Sequence, residues 1–317
     1  MSFVFDFIIF FILFFSAYWM FVILRSFRHD AERQIKTKLV RLCFFVFLLL
    51  IFIIVQWGAF IEPQIITVKN IELNLKSTPR RETIKIALIS DIHAGRYKKN
   101  LFVKRAVSKI LKQNPDLLLI AGDFILGKEA NAQYLYPLKN LAEKFPVVVV
   151  TGNHEFNMGK LNDQRAKDRT GLLRKLLAEW NISILDNATK KITTDQGNLN
   201  ITGLPDIWIG KVDFNAAEIN LDPRLPKILL VHNPDIILEQ ESSNFDLVLA
   251  GHTHCGQIRL PFIGSVPPLP TKLGRAFDKG LFQLKNNLLY ITCGLGETGP
   301  RARLFNPPEI TMINLDL

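Results

Sequence analysis

The sequence predicts a layered α/β domain that follows two membrane-spanning helices. Two apolar segments near the start each have about the 20 residues needed to cross a bilayer. Beyond them, strand-like apolar runs first alternate with helical patterns and are then followed mostly by further strands. Five of these runs end in short clusters of His, Asp and Asn. Because the ends of parallel strands meet at one edge of a sheet, these clusters indicate one polar site.

The two apolar segments define a predicted membrane anchor at residues 1–61. Residues 3–24 contain Asp6 as their only charge, and residues 42–61 contain no charge. A cleaved signal peptide is the alternative for the first segment. That segment has no basic stretch before its apolar core and no small-residue cleavage site, so we expect a retained helix.

The connection between these helices, residues 25–41, predicts the orientation of the chain. It holds six basic residues against Asp30 and Glu32, whereas no Lys or Arg precedes the first segment and Lys69 is the first one after the second. The positive-inside rule places such a loop in the cytoplasm and both chain ends outside. The basic residues of the loop are Arg25, Arg28, Arg33, Lys36, Lys38 and Arg41.

Residues 62–317 are long enough for one domain with a sizeable core. They hold 33 basic and 26 acidic residues. This excess fits an anionic substrate or an anionic membrane surface and does not choose between them, and we expect no specific nucleic-acid partner. The three cysteines form no CxxC pattern. A bridge between Cys255 and Cys293 stays open, although two small buried side chains are the preferred interpretation.

Local patterns predict the elements in order. A helix should begin with Asn100 as its cap, present an apolar face that includes Phe102 and Ile110, and end before Pro115. A basic amphipathic helix is expected at residues 164–180. The predicted strands are residues 65–75, 85–90, 117–121, 147–151 and 310–315.

Two further segments have alternative interpretations. The basic run at residues 98–112 is either a solvated helix face, which we prefer, or a surface for anionic lipid. The proline-rich residues 261–270, shortly after the last histidine cluster, are either an acceptor for an acyl chain or a packed connection.

The polar clusters indicate the chemistry of the site. Carboxylate, amide and imidazole ligands from five strand ends suit a pair of hard-to-borderline divalent metals. Such pairs assist hydrolysis. The clusters are SDIH at residues 90–93, AGDF at 121–124, GNHE at 152–155, VHNP at 231–234 and GHTH at 251–254.

In this order, the clusters resemble the motifs of the calcineurin-like metallophosphoesterases. The tail at residues 294–310 (GLGETGPRARLFNPPEI) is similar to the membrane-associated bacterial branch of that superfamily. The resemblance implies a four-layer αββα sandwich behind the anchor. It also implies phosphoester hydrolysis by a hydroxide that two divalent ions activate, Mn, Fe or Zn, with Mg as a further candidate. A member of this bacterial branch would lie in the inner membrane, and the positive-inside rule applied to residues 25–41 would put its catalytic domain on the periplasmic side.

The resemblance also implies roles for residues of the clusters. Asp123 would bridge both metals, and His154 would donate to the phosphate or protonate the leaving oxygen. Glu155 would orient a ligand or its loop. The ligands of one metal would be Asp91, His93, Asp123 and His254, and those of the other Asp123, Asn153, His232 and His252.

One departure separates this chain from the phosphoprotein phosphatases, whose GDxxDRG motif supplies an Asp for the catalytic His and an Arg for phosphate. Here the segment is GDFILG, with Leu126 and Gly127 at those places, which argues against a protein phosphatase. Arg96 and Arg303 are the candidates for phosphate contact, because a guanidinium suits phosphate, and structural roles are the alternative.

We therefore expect a membrane-anchored hydrolase of a phosphoester or pyrophosphate bond in a lipid-linked substrate. A UDP-2,3-diacylglucosamine pyrophosphatase of lipid A synthesis is the alternative. It requires an active site at the cytoplasmic face, which conflicts with the charge of residues 25–41. A non-catalytic scaffold of the same fold is a second alternative, against which the complete ligand set argues.

Overall fold

Two six-stranded sheets pack face to face in the computed structural model, which describes residues 2–29, 35–75, 83–127, 130–156 and 164–317. From edge to edge, the strands of the first sheet are β1 Thr67–Asn74, β14 Glu309–Asp316, β2 Thr83–Ile89, β3 Leu117–Ala121, β4 Val147–Val150 and β5 Ser183–Ile184. Those of the second are β12 Gly280–Gln283, β13 Leu288–Ile291, β9 Leu247–Ala250, β8 Lys227–Leu230, β7 Gly197–Gly203 and β6 Ala188–Thr194. A separate hairpin joins β10 Arg259–Leu260 to β11 Gly264–Ser265. All five strands predicted from local patterns are confirmed.

The centre of each sheet is parallel. β2, β3, β4 and β5 run parallel to one another in the first sheet, and β7, β8, β9 and β13 do so in the second. Antiparallel pairs occur where β14 meets β2 and at the edges formed by β12 and β6. The strands that precede the five polar clusters, β2, β3 and β4 in one sheet and β8 and β9 in the other, therefore run parallel within each sheet, as convergence of their ends requires.

The central strands are buried on both faces because each sheet lies between two other layers. In β2, Ile86 and Leu88 contact the core between the sheets, whereas Ala87 and Ile89 contact the core under the helices. Alternate side chains of a strand point to opposite faces, so a strand buried on both faces reads as an unbroken apolar run. This explains why these segments are so apolar in the sequence.

Helices cover the outer face of each sheet. α3 Asn100–Gln113, α4 Lys139–Ala142 and α5 Gln164–Glu179 lie over the first sheet, where Leu173 and Leu177 join its outer core. The second sheet is covered more thinly, by α6 Phe214–Glu218 and short 3₁₀ turns. The resulting order of helix, sheet, sheet and helix confirms the four-layer αββα sandwich.

Helix α3 agrees with its predicted face but not with its predicted cap. Phe102 and Ile110 are buried against the first sheet. The cap is Lys99, whose backbone is extended and whose side chain makes no capping bond, and Asn100 is already the first helical residue. The prediction from Asn100 was therefore wrong by one residue, because the extended-to-helical change in the backbone falls earlier than side-chain preference suggested.

Two long apolar helices precede the sandwich. These are α1 Ser2–His29 and α2 Ile35–Gln56. By length and composition, residues Phe3–Arg28 and Ile35–Gln64 could cross a membrane, with mean hydropathies of 2.6 and 2.8. Many of their large apolar side chains are exposed. The division of the chain after residue 61 stays a prediction.

The predicted connection at residues 25–41 is shorter in the structure. Both helices extend into it, and residues 30–34 lie outside the described part of the chain. Lys and Arg are good helix formers, so the change from apolar to basic residues does not by itself end a helix. The basic side chains still separate the two apolar stretches.

The buried Asp6 of α1 contacts the loop that follows β2. Its Oδ2 atom lies 3.1 Å from Nη2 of Arg96 and accepts a 2.8 Å hydrogen bond from the Tyr97 hydroxyl. A charge on a membrane helix is costly unless it is paired, so this contact explains the one acidic residue of the segment. It also connects α1 to the loop that carries His93.

Cys255 and Cys293 form a disulfide, contrary to the preferred interpretation of two unpaired side chains. The reason lies in the sheet order, which the sequence does not reveal. β9 and β13 are parallel neighbours, with Ala250 opposite Ile291. The segments that follow these strands therefore run side by side, and the two cysteine Cα atoms lie 4.9 Å apart.

Replacing both bridged cysteines with Ala should lower the free energy of unfolding. The bridge closes a loop with a sequence separation of 38, for which chain entropy predicts about 4 kcal/mol. Thermal unfolding of the full chain in detergent measures the effect. Cys43→Ala, which removes the exposed free thiol, is the control and should leave the midpoint nearly unchanged. Equal midpoints for the double variant and the control would contradict a stabilising bridge.

Candidate metal centre

The polar clusters meet where the parallel strands end. The loops after β2 and β3 are held together by backbone bonds, 3.0 Å from the Asp91 N–H to the Gly122 carbonyl and 3.0 Å from the His93 N–H to the Asp123 carbonyl. The two sheets are joined at the same edge, because the His252 N–H donates to Oδ2 of Asp91 at 3.1 Å. Convergence of the clusters follows from the strand directions and is confirmed.

Five of the seven predicted ligands have a left-handed backbone, which non-glycine residues rarely adopt. Such conformations cost about 1–3 kcal/mol each and cluster at functional sites. The site therefore keeps its ligands in an unfavourable backbone state that the surrounding fold must hold. These residues, with their φ angles, are Asp91 at 49°, His93 at 51°, Asp123 at 55°, His252 at 68° and His254 at 49°.

Glycine is required beside two of the carboxylates. A Cβ atom at Gly152 would lie 2.2 Å from Oδ1 of Asp123, and one at Gly251 would lie 2.7 Å from Oδ2 of Asp91. Both distances are shorter than any real contact of a Cβ atom. The glycines of the GNHE and GHTH clusters therefore allow the backbone to approach the carboxylates.

One group of candidate ligands consists of Asp91, His93 and His254. Nε2 of His254 lies 3.3 Å from Oδ1 of Asp91 and 3.1 Å from Nε2 of His93. Nε2 of His93 lies 3.8 Å from the same carboxylate oxygen. All three side chains are buried, so their ligand atoms face one another rather than water.

The second group consists of Asp123, His232 and His252. Nε2 of His232 lies 3.1 Å from Oδ2 of Asp123, and Nδ1 of His252 lies 3.0 Å from Nε2 of His232. Oδ1 of the buried Asn153 side chain is 3.1 Å from the same His232 nitrogen. The Nδ1 atom of His232 is 2.7 Å from the Ala121 carbonyl, which fixes the orientation of the ring.

Asp123 lies between the two groups. Its Oδ2 atom is 3.1 Å from Nε2 of His232 in one group and 3.7 Å from Nε2 of His93 in the other. Its Oδ1 atom accepts the backbone N–H of His154 at 2.9 Å. Although burial opposes ionisation, the neighbouring imidazoles of His232 and His154 hold the pKa of Asp123 well below its usual range.

His154 is less buried than the candidate ligands around it. Its side chain is half-buried, and its ring lies edge-on to that of His93 with centroids 5.0 Å apart. It also falls within a third candidate group with His93 and Asp123. A partly solvated imidazole beside two buried ligand groups can reach a bound molecule.

The donors fit divalent metal ions. Burial lowers the pKa of His93 and of His252 well below the usual value, which favours the neutral imidazole that binds metal. One buried atom of the first group, Oδ1 of Asp91, has no hydrogen-bond partner among the described residues. Buried polar atoms are normally satisfied, and carboxylate, imidazole and amide oxygen suit Mn, Fe, Zn or Mg.

Glu155 holds the backbone of the loop that carries Asp123, in line with the loop-orienting role expected for it. Its two carboxylate oxygens accept backbone N–H groups from both clusters: 3.0 Å from Asp123, 2.7 Å from Phe124 and 2.7 Å from Gly152. Burial and the nearby charge of Asp123 raise the pKa of Glu155 to about 8, against the effect of these hydrogen bonds. Glu155 therefore connects the loops that follow β3 and β4.

The structure does not bring Arg303 to the site as a phosphate ligand. Its side chain is fully buried, and its guanidinium donates to backbone carbonyls of Cys293, Gly294, Gly296 and Asn306. This geometry fits the structural alternative and not the predicted phosphate contact, because a substrate cannot reach the guanidinium. The long side chain fills the tail segment that packs beside Asp91.

Arg96 lies closer to solvent but is already engaged. Its side chain is 38% exposed and pairs with Asp6 of α1. It also lies over the ring of Tyr97, with 5.5 Å to the ring centroid. Contact with a phosphate stays a prediction for Arg96, and it would have to compete with the Asp6 carboxylate.

Two residues near the site were missed by the sequence reasoning. Asp206 follows β7 and is buried, with Oδ1 bound to the Trp208 N–H at 2.9 Å and Oδ2 unpartnered among the described residues. Burial raises its pKa, which the nearby His232 opposes. The ring of Trp208 lies edge-on to that of His252 at 4.5 Å. The sequence pattern that identified the other site residues also applies to Asp206, because this polar residue follows the end of strand β7.

Two groups of buried nitrogen and oxygen atoms, with the Asp123 carboxylate between them at the joined edges of two sheets, fit a metal-dependent hydrolase. The comparisons with known proteins give the family. The sequence profile of the calcineurin-like phosphoesterase family matches residues 84–256. The chain therefore belongs to this family of metal-dependent phosphoester hydrolases.

Three bacterial relatives illustrate the similarity. An uncharacterized metallophosphoesterase of Campylobacter jejuni is 32% identical over 255 residues, which cover 78% of this chain and 63% of that relative. The phosphodiesterase YaeI of Escherichia coli is 30% identical over 236 residues, covering 73% and 82%. The UDP-2,3-diacylglucosamine pyrophosphatase LpxG of Chlamydia trachomatis is 27% identical over 301 residues, covering 81% and 91%.

Replacing Asp123 with Asn should weaken metal binding in both groups, because one carboxylate contributes to each. Elemental analysis of the purified full chain should give about two equivalents of metal for the wild type and clearly less for the variant. Asp186→Asn, on the surface beside Arg174, is the matched control and should keep the full content. Two equivalents in the Asp123 variant would contradict the bridging role.

Proposed function

We propose that the protein is a membrane-anchored enzyme that hydrolyses a phosphoester or pyrophosphate bond in a lipid-linked substrate. Two divalent ions would be held by Asp123 together with two sets of ligands. When bound, they supply polarisation of the phosphate and activation of the attacking water. The two ligand sets are Asp91, His93 and His254, and Asn153, His232 and His252.

The protein groups around the metals have separate tasks in this proposal. Asp123 holds the two ligand sets together, and Glu155 keeps the Asp123 loop in place through its backbone bonds. His154 is the half-buried group that would donate a hydrogen bond to the phosphate or a proton to the leaving oxygen. The carboxylate expected to orient the histidine in phosphoprotein phosphatases is replaced here by Leu126, so His154 would act without it.

One observation supports a lipid-linked substrate above all others. The loop that carries His93 continues into Arg96 and Tyr97, both of which contact Asp6 on α1. Residues that contact an apolar helix able to cross a membrane therefore follow the candidate ligand His93 by only three and four positions. A phosphate carried on a membrane lipid would be presented near the metal centre, whereas a soluble substrate would gain nothing from the contact.

His154→Asn should lower kcat while leaving the metal content unchanged, because the proposed role is in the reaction rather than in metal binding. A loss of about 100-fold or more is expected for a general acid or a phosphate donor. The assay would measure phosphate release from lipid-linked phosphomonoesters, phosphodiesters and pyrophosphates with Mn²⁺, Zn²⁺ or Mg²⁺. If His154→Asn lost one metal, His154 would instead be a ligand.

The catalytic domain is proposed to lie outside the cytoplasm. The basic residues between the two apolar helices favour a cytoplasmic position for that connection. The disulfide between Cys255 and Cys293 supports the same orientation, since such bonds persist mainly in oxidising compartments. The two arguments are independent, because one rests on the anchor and the other on the domain.

A reporter fused after Leu317 tests this orientation. Active alkaline phosphatase, together with an inactive cytoplasmic fluorescent reporter at the same position, is the expected result. The matched control reverses the charge of the connection by changing its Lys and Arg residues to Glu, which should reduce the alkaline phosphatase signal. A fluorescent cytoplasmic reporter on the wild-type chain would place the metal centre at the cytoplasmic face.

That contrary result would favour the second candidate, a UDP-2,3-diacylglucosamine pyrophosphatase. The observation in its support is the alignment with relatives of that name, which covers 81% of this chain. The substrate itself discriminates between the candidates. Release of UMP from UDP-2,3-diacylglucosamine by the purified full chain would support the second, whereas hydrolysis of other lipid-linked phosphates alone would support the first.

A further inference from the structure

The β10–β11 hairpin, residues 259–265, exposes an apolar tip. The side chain of Phe262 is fully exposed and that of Ile263 is 65% exposed. Phe262 also has a left-handed backbone, with φ of 67°, which is unfavourable for a bulky aromatic residue. Both the exposed aromatic side chain and the left-handed backbone are unfavourable in water. Their combination at the tip of a hairpin therefore indicates a binding surface.

The hairpin is connected to the end of α2 by backbone bonds. The Arg303 N–H donates to the carbonyl of Gly58 at 2.9 Å, two residues after the helix ends. The next residue, Leu304, accepts the Arg259 N–H at 2.9 Å with its carbonyl. The base of the hairpin is therefore separated from the apolar helix by a single segment of chain.

Phe305 extends the apolar tip towards the helix. It lines the same surface cleft as the hairpin, its side chain is 60% exposed, and its backbone is left-handed with φ of 53°. Two residues span at most about 7 Å, so Phe305 lies near Arg303 and hence near Gly58. Exposed apolar side chains therefore lie on both sides of the bond between Arg303 and Gly58, with Trp57 on the helix side and Phe305 on the hairpin side.

The charge of this region fits a membrane surface. Residues 256–277 contain no Asp or Glu, whereas they contain Arg259, Lys272 and Arg275. The guanidinium of Arg259 pairs with Asp278 at the base of the hairpin, and the exposed Arg275 donates to the carbonyl of Val266. Because Asp278 neutralises Arg259, Lys272 and Arg275 are the remaining cations of this segment, and an apolar tip with Arg275 beside it matches the boundary between acyl chains and anionic headgroups.

The hairpin also contacts the metal-centre loop. Nη1 of Arg259 donates to the carbonyl of Cys255 at 3.0 Å, one residue after the candidate ligand His254. Gly256 packs so closely on Ser265 that a Cβ atom there would lie 1.9 Å from the Ser265 hydroxyl oxygen. A surface that binds the hairpin would therefore also fix the distance between that surface and the metal centre.

We propose that the tip of the hairpin, Phe262 and Ile263, together with Phe305, inserts into the lipid bilayer that holds α1 and α2. The inserted residues act as a third contact with the membrane and place the metal centre at the level of lipid headgroups. This inference rests on the membrane anchor of the proposed function. It does not depend on which phosphate bond is cleaved.

Site-directed spin labelling of the full chain tests the insertion. In a Cys43→Ala background, a nitroxide at Phe262→Cys is reconstituted in vesicles of phosphatidylethanolamine and phosphatidylglycerol. Its accessibility to oxygen relative to a water-soluble nickel reagent is then measured. We expect this ratio to be about threefold or more above that of a label at Ile219→Cys, an equally apolar exposed position on the domain. A label at Phe305→Cys should behave like the one at Phe262.

A label at Phe47→Cys, exposed on α2, separates the two levels of the proposal. Lipid-like accessibility at Phe47 with water-like accessibility at Phe262 and Phe305 would overturn the insertion and leave the anchor intact. Water-like values at all three positions would overturn the anchor as well. Absence of phosphoester hydrolysis by the unlabelled protein would contradict the proposed function but not the insertion, because the labels report position and not turnover.

Discussion

The burial of the Asp123 carboxylate is the constraint on which the rest of this site depends. Taking a charge out of water costs several kcal/mol unless nearby groups compensate. Here His232 lies at 3.1 Å and the His154 N–H at 2.9 Å, and divalent ions would add further positive charge. The adjacent loops serve this arrangement, since Gly152 leaves room for the carboxylate and Glu155 holds its backbone. A metal centre at the joined edges of the sheets would therefore explain features that otherwise only destabilise the fold.

The second requirement is that two separate sheets stay aligned at their edges. The Asp91 carboxylate accepts the His252 N–H across the sheets, and the disulfide at Cys255 binds the ligand loop to the tail of the chain. Arg303 fulfils a similar task through its bonds to several carbonyls of that tail. The tail therefore stabilises the loops of the metal centre and does not present Arg303 to a phosphate. In the sequence, this segment was identified only by its resemblance to the family.

Features set by local pattern could be predicted from the sequence, whereas those set by distant partners could not. The apolar runs identified the central strands, and the rule that parallel strand ends converge brought together the candidate ligands. In contrast, the pairing of Cys255 with Cys293 and the contact of Asp6 with Arg96 depend on partners many residues away. The burial of Arg303 depends on how the tail folds around its guanidinium, which the local pattern does not reveal. Lys98 shows the same limit, because it belongs to a basic run expected on a solvated helix face but is buried beside Glu297. The position of a long charged side chain depends on the group with which it pairs, and the composition of the sequence does not reveal that group.

The junction between the helices and the sandwich is a buried polar network rather than a flexible linker. Lys98 lies 2.9 Å from Glu297 and donates to the Pro63 carbonyl, and burial lowers its pKa to about 8. Glu62 accepts hydrogen bonds from the Asn306 N–H at 2.5 Å and from the Trp57 ring at 2.8 Å. Buried charged groups of this kind tolerate little displacement, since separating them leaves a charge without compensation. These contacts therefore restrain the domain relative to the apolar helices. Such a restraint fits the proposed lipid-linked substrate, because it would keep the metal centre near the level of a phosphate in the bilayer.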